Sequence, residues 1–384
     1  MRVLFLIPHP RAAASGRYRV YQYLPWLERA GIDVDVRPFM SERLYECLYQ
    51  PGRLAQKMAM SAAALVKRLG DFADCRRANV VVVHREALPL GTALFERLVA
   101  QRRPVVFDFD DAIYLTHASY ANSWTRPLRR GAKVERIIAA SAEVIAGNDI
   151  LAAYARRFSD SVTIIPTPVD TELYRSGPAR EAGGRVTIGW IGSHSTAQYL
   201  APLQEPLQRL ARRYPQLEVR LVGAGAAPLS GAHVRSDPWT LAGELAQLRQ
   251  FDIGIMPMPE DEWARGKCGF KALLYMSIGI PVVASPVGIT QQIVAHETSG
   301  FIARDAAEWH DSLNRLIDDS HLRRRMGEAG RAIVEQRYAV CVHAPRFLDV
   351  VQRAAETPHR SRSLAPIADA PSGAYTSTCA TDRR

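Results

Sequence analysis

Trp263-Ala-Arg-Gly266-Lys267-Cys-Gly269-Phe-Lys271-Ala-Leu-Leu-Tyr275-Met-Ser-Ile-Gly279-Ile-Pro281-Val-Val-Ala-Ser285-Pro-Val-Gly288 reads from left to right as a loop, a helix and a strand. Gly266 and Gly269 open the loop, the apolar spacing over 270–278 is helical, and Gly279 with Pro281 stops it. The β-branched run that follows, after the strand expected at 253–257, makes this one turn of a parallel α/β sheet. Lys267 and Lys271 stand four residues apart, so the pattern places both on one face near the helix N-terminus. Free N–H groups and the positive end of the dipole favour an anion there. Lysine is otherwise scarce: the chain has 49 Lys and Arg, and its other lysines, 57, 67 and 133, all fall in the first half. A phosphate-bearing ligand is the expectation.

The same rhythm extends outward. Strands are expected at 3–7, 34–38, 80–84, 105–108, 144–146 and 162–166, with helical periods at 18–30, 90–101, 124–140 and 150–158. It restarts with strands at 186–191, 219–223, 253–257, 281–285 and 300–303, separated by helices at 197–214, 241–250 and 270–278. Pro166, Pro168 and the Gly- and Ala-rich stretch 176–184 read as a hinge. The predicted fold class is α/β: two Rossmann-like, doubly wound parallel-sheet domains, 1–170 and 171–340, facing across a cleft. A closing helix at 341–356 and a tail at 357–384, expected to be disordered, complete the chain.

A second anion-receptive loop, Gly192-Ser193-His194-Ser195-Thr196, follows the 186–191 strand. Its hydroxyls could cap the next helix or hold a diphosphate. Gly16 and Arg17, with Arg19, follow the first strand and could close over phosphates. The chain has no GxxxxGK[ST], HExxH or GxSxG motif, and its Gly223-Ala-Gly225 stretch lacks the third glycine of a dinucleotide fingerprint.

These motifs resemble family 4 retaining glycosyltransferases, which have the GT-B fold. The likeness rests on the 263–288 run, on Ile293–Phe301 and on Met326-Gly-Glu-Ala-Gly330-Arg331 through Tyr338. Ser15–Arg19, Asp108–Ala112, Ala146-Gly147-Asn148 and Ile165–Asp170 extend it over roughly residues 1–355. The resemblance implies sugar transfer from a UDP- or GDP-linked donor with retention, to a glycan, lipid-linked or small-molecule acceptor. It also implies a mechanism with no cofactor or bound metal, in which Lys267 and Lys271 neutralise the departing diphosphate and Tyr275 belongs to the donor site. Although Asp108 and Asp110 have a spacing that could suggest a metal, the lysines occupy that role. The family's two glutamates would fall at Gly266 and Leu274, so both carboxylates are missing. Asp110 and His117 are the candidates to serve the sugar or the acceptor. A catalytically degenerate relative that binds nucleotide sugar or glycan without transfer is the alternative. An epimerase would need an acid/base pair in the cleft, and no histidine–carboxylate pair is evident in the sequence.

Composition bounds the setting. The 384 residues, 47% apolar, are enough for two cores and contain no apolar run near the roughly 20 residues that span a bilayer. The N-terminus is too short in apolar residues for a signal peptide, and five scattered cysteines without a CxxC point to a reducing cytosol. The net charge is +10, and residues 1–170 carry 24 cations against 17 anions. An apolar helix with cations near its ends, 53–69, and a basic stretch at 126–136 add to this. Peripheral attachment to an anionic inner leaflet is therefore expected. Nucleic acid is not expected, because the cations lack aromatic interleaving.

Overall fold

A computed structural model describes residues 1–49, 52–89, 91–115, 132–177, 184–225, 229–231 and 233–357. His117, Arg126, Arg129, Arg130, most of the hinge and nearly all of the tail lie outside the described residues.

Two six-stranded sheets, every pairing parallel, organise the chain. The first has the order β2-β1-β3-β4-β5-β6, from β1 (Arg2–Ile7), β2 (Asp33–Pro38), β3 (Val80–His84), β4 (Val105–Phe109), β5 (Glu143–Ala146) and β6 (Val162–Ile164). The second runs β12-β11-β10-β7-β8-β9, from β7 (Thr187–Ile191), β8 (Glu218–Val222), β9 (Val234–Asp237), β10 (Ile253–Met256), β11 (Val282–Ala284) and β12 (Gly300–Ile302). Central strands such as β3 and β4 are buried along their whole length, because helices cover both faces of a parallel sheet. The two-domain α/β fold expected from the sequence is the one present.

Several elements differ from expectation. The predicted helix 18–30 is split into Ala14–Arg19, a tight turn and Leu24–Arg29, with Pro25 at the start of the last. The predicted helix 197–214 is likewise divided, with Pro202 inside a 3₁₀ turn before Gln204–Arg213. β9 was not anticipated, since Val-Arg-Ser-Asp is a half-exposed edge strand without an apolar run. The last helix, Val340–Glu356, begins one residue before the expected 341 and packs on the first sheet. There Phe347 stacks with its ring centroid 4.4 Å from that of Tyr23 and 6.3 Å from that of Phe5.

Candidate functional site

The helix Phe270–Ser277 lies against the second sheet because Tyr275 is buried under it. The Tyr275 hydroxyl accepts from the Ile191 N–H at 3.0 Å and donates to the Ile255 carbonyl at 3.4 Å, joining β7 to β10. This corrects its expected place on the donor: Tyr275 is a positioning residue beneath the loop at Gly192. One turn earlier, Lys271 rises to that loop, its ammonium 5.5 Å from the centre of the Trp190 ring. Gly192 is required there, since a Cβ would lie 2.6 Å from Trp190 and 2.8 Å from Lys271 Cε. Loss of hydration, then repulsion by Lys267, pulls the Lys271 ammonium down to about 7, with Asp111 opposing.

Lys267 is not on the helix; it sits in the loop between the short helix Glu262–Arg265 and Phe270–Ser277. Its ammonium is 3.7 Å from Asp111 of the first domain and 5.3 Å from the Trp263 ring centre. The two lysines are brought together as expected, but by a loop–helix junction rather than by one helical face. Across from Lys271, Ser193, His194 and Ser195 are exposed, and Ser193 Oγ lies 2.8 Å from Ser195 Oγ. No side-chain cap bond uses Ser193, while Thr196 donates back to the Ser193 carbonyl at 3.2 Å.

The first domain meets this junction closely. Asn148 caps the helix Asp149–Ala155 by accepting from the Leu151 N–H, and its amide donates to the Gly266 carbonyl at 3.0 Å. A Cβ on Gly266 would stand 2.6 Å from the Ala112 Cβ, so no glutamate fits there with the domains in this arrangement. Asp110 and Asp111 of the first domain stand beside this junction, at Cys268 and Lys267. Asp110 is buried, bonded to Arg85 Nε at 2.7 Å and held well below its ordinary range; burial opposes this and Arg85 with His84 outweighs it. Asp111 binds the other arm of the Arg85 guanidinium at 2.7 Å. The buried Cys268 thiol donates to the Asp110 carbonyl at 3.1 Å, and burial pushes it up to about 12, so it stays protonated.

Three expectations for the first domain change. Arg19 is buried and ion-paired with Asp108, so it cannot close over phosphates. Arg17 reaches the second domain and pairs with Glu244 at 2.9 Å, while Gly16 is buried beside Ile7 and Tyr21. The histidine–carboxylate pair absent from the sequence reading is present: His84 Nδ1 lies 2.6 Å from Asp108 Oδ2, and Ser15 Oγ lies 2.5 Å from His84 Nε2. Asp108 and Asp110 are thus committed to cations and to His84 rather than turned toward each other as a metal pair. Sequence spacing hid this cluster, because Ser15 and His84 are 69 positions apart and His84 and Asp108 are 24 apart.

Residues 185–319 match the family described as Glycosyl transferases group 1. Among curated relatives, the chain is 26% identical over 278 residues to a D-inositol 3-phosphate glycosyltransferase of Stackebrandtia nassauensis, covering 63% of this chain and 61% of that protein. It is 30% identical over 200 residues to the protein so named in Frankia alni, covering 45% and 49%. The matches thus span about half to three fifths of those relatives' length. Among solved structures, a sucrose-phosphate synthase from Thermosynechococcus elongatus superposes with a TM-score of 0.66 at 17% identity, covering 92% of this chain and 98% of that one. Anabaena HepE, solved with UDP and glucose, superposes at 0.61 and 16% identity, covering 91% and 99%. The second unit of this chain therefore carries the sequence pattern of the group 1 glycosyl transferases, within a two-domain molecule of the GT-B fold.

Proposed function

We propose that this protein transfers a sugar from a UDP- or GDP-linked donor to a glycan, lipid-linked or small-molecule acceptor, with retention of configuration and without a bound metal. The observation that carries this reading is the ammonium pair at Lys267 and Lys271, Lys271 set against the loop Gly192–Thr196 with its exposed Ser193, His194 and Ser195, and Lys267 beside Asp111 of the first domain. Negative charge grows on the leaving diphosphate as the bond to the sugar breaks, and cations fixed there lower the barrier. Lys271 is only partly charged near neutrality, so an arriving diphosphate favours its charged form. To Asp110 and to Asp111, which lies 3.7 Å from Lys267, this reading assigns recognition of the sugar hydroxyls. The matches to glycosyltransferases over residues 185–319 and the fold favour this chemistry over other phosphate ligands.

Titration of UDP and GDP by calorimetry, against wild type and Lys271→Ala, tests the reading. Micromolar binding of one nucleotide that Lys271→Ala weakens by roughly thirtyfold supports it, and no binding of either overturns it. Stereochemistry follows from the anomeric proton coupling of the product by NMR. Donor binding with no release of nucleotide from any sugar donor would instead favour the non-catalytic alternative.

The helix Leu54–Asp74 favours attachment to the inner leaflet of a membrane. Leu54, Met58, Leu65, Val66 and Leu69 on it are all exposed, and no acidic residue occurs from 47 to 70. Among the described residues, no helix is long and apolar enough to cross a membrane. An interfacial helix beside lipid-linked acceptors is the corresponding proposal.

A further inference from the structure

Two ammonium groups and one guanidinium converge on a single carboxylate where the domains meet. Asp111, just past the carboxyl end of β4, accepts from Arg85 Nη2 at 2.7 Å and lies 3.7 Å from the Lys267 ammonium of the second domain. Its charge also reaches Lys271, where it opposes the loss of the proton that burial and Lys267 promote. The side chains of Asp111, Arg85 and Lys267 are each 19% exposed, so the carboxylate is neither sealed in the core nor loose in solvent. Arg85 holds it in place. The backbone there is left-handed, with φ 58°, and the guanidinium spans Asp110 through Nε and Asp111 through Nη2. The Cys268 thiol donates to the Asp110 carbonyl from below, and Tyr199, in the turn after the Gly192–Thr196 loop, lies within electrostatic reach of Asp111 and Asp261.

We propose that Asp111 is the residue by which the site tells a sugar-bearing diphosphate from a bare one, favouring the donor and speeding departure of the spent nucleotide. The inference rests on the glycosyl-transfer reading above. In the donor, the terminal phosphoryl group is esterified to the sugar and carries one negative charge. When the bond to the anomeric carbon breaks, its electron pair stays on the phosphate oxygen, and the terminal group then carries up to two. The lysines attract both forms, and Asp111 repels the second more. A phosphate oxygen about 3 Å from the Lys267 ammonium would lie within about 7 Å of the Asp111 carboxylate, itself 3.7 Å from that ammonium. At an effective dielectric of about 40, one extra unit of charge at that distance changes affinity about tenfold. Binding stays favourable, because Lys267, Lys271 and Arg85 stand against Asp110 and Asp111. The repulsion is felt in full only by the product, since the charge on the departing oxygen is incomplete in the transition state. A carboxylate that served only to fasten the domains would behave otherwise: once neutralised, it would loosen the site and weaken every nucleotide alike.

Calorimetry on the full chain at about pH 7.5 supplies the test, with UDP, GDP and their terminal methyl esters as the probes. Methylation removes the second charge of the terminal phosphate and adds no sugar, so the comparison reads charge alone. Asp111→Asn is expected to shift the preference toward the bare nucleotide over its ester about tenfold, chiefly by tighter binding of the bare form. Asp111→Glu, which keeps the charge, should keep the wild-type preference. Asp111→Ser, read in the same way, stands in if the amide variant is unfolded at the assay temperature. A folded Asp111→Asn protein that binds the bare and esterified nucleotides in the wild-type ratio, or loses both equally, overturns the selectivity and leaves the glycosyl-transfer reading standing. Wild type that binds neither nucleotide, bare or esterified, overturns that reading and the inference with it.

Discussion

Lys271 makes a prediction that a surface lysine would not. Its ammonium, held near pH 7 by lost hydration and by Lys267, is half-charged in the free protein at neutrality, and a bound diphosphate raises it again. Binding therefore takes up a proton, and affinity for UDP or GDP falls as pH rises above 7, by up to about tenfold per unit. Calorimetry in two buffers of different ionisation enthalpy measures that uptake directly. Lys271→Met should cost about 2 kcal/mol of binding, roughly thirtyfold, and flatten the pH profile. Gly192→Ala should act on the same group from the other side, since its methyl would occupy the space of Lys271 Cε. At this scale the lysines were legible because the chain otherwise uses arginine. Ser15, His84 and Arg85 were not, because the sheet rather than the sequence brings them together. Tyr275 was misplaced because a tyrosine one turn past the lysine looks the same whether it faces a ligand or, as here, the backbone of β7 and β10.

Between elements, the contact to weigh is the one joining Ala14–Arg19 to the helix Glu244–Leu248. The Glu244 carboxylate, 4% exposed, accepts from Arg17, Tyr18, Tyr174 and the Trp239 indole at 2.5–2.9 Å. Burial opposes its ionisation, but these donors outweigh burial and hold the carboxyl below its ordinary value. A carboxylate so satisfied ties the first domain to the second, and breaking one side strands the other charge. Glu244→Gln should lose about 3 kcal/mol in thermal unfolding at neutral pH. Because the native value is lowered, the stabilisation is complete above the ordinary carboxylate range and fades as pH falls through the native value. The gap between variant and wild type should then narrow in acid. Equal unfolding at pH 7 would show that the latch contributes nothing. The helices and central strands of this scale were readable from Val and Ile runs and turn residues. The prolines at 25 and 202 divided helices whose apolar period runs on unbroken, and a polar edge strand such as β9 has no period to read.

For the whole molecule, charge proved less superficial than its distribution along the chain suggested. Arg19, Arg68 and Lys133 are all buried: Arg68 bonds the Ile7 and Arg37 carbonyls, and Lys133 pairs with Glu86 at 3.1 Å. These cations hold the first domain together and are not presented to a partner. Those three are withdrawn from the electrostatic case for a membrane, Arg53 and Lys67 among the described residues remain in it, and the apolar exposure of one helix adds a separate case. Val66 is 70% and Leu69 57% exposed on neighbouring turns of Leu54–Asp74, and each such side chain contributes about 1.5–3 kcal/mol when removed from water. The protein is expected to float with vesicles containing phosphatidylglycerol and less with pure phosphatidylcholine, with partial release in high salt. The double substitution Val66→Glu, Leu69→Glu should abolish flotation while leaving unfolding temperature and nucleotide affinity unchanged, because neither side chain packs on the sheet. Flotation of that variant equal to wild type, or no flotation of wild type on anionic vesicles, would remove the membrane from the account while leaving the lysine site as it stands.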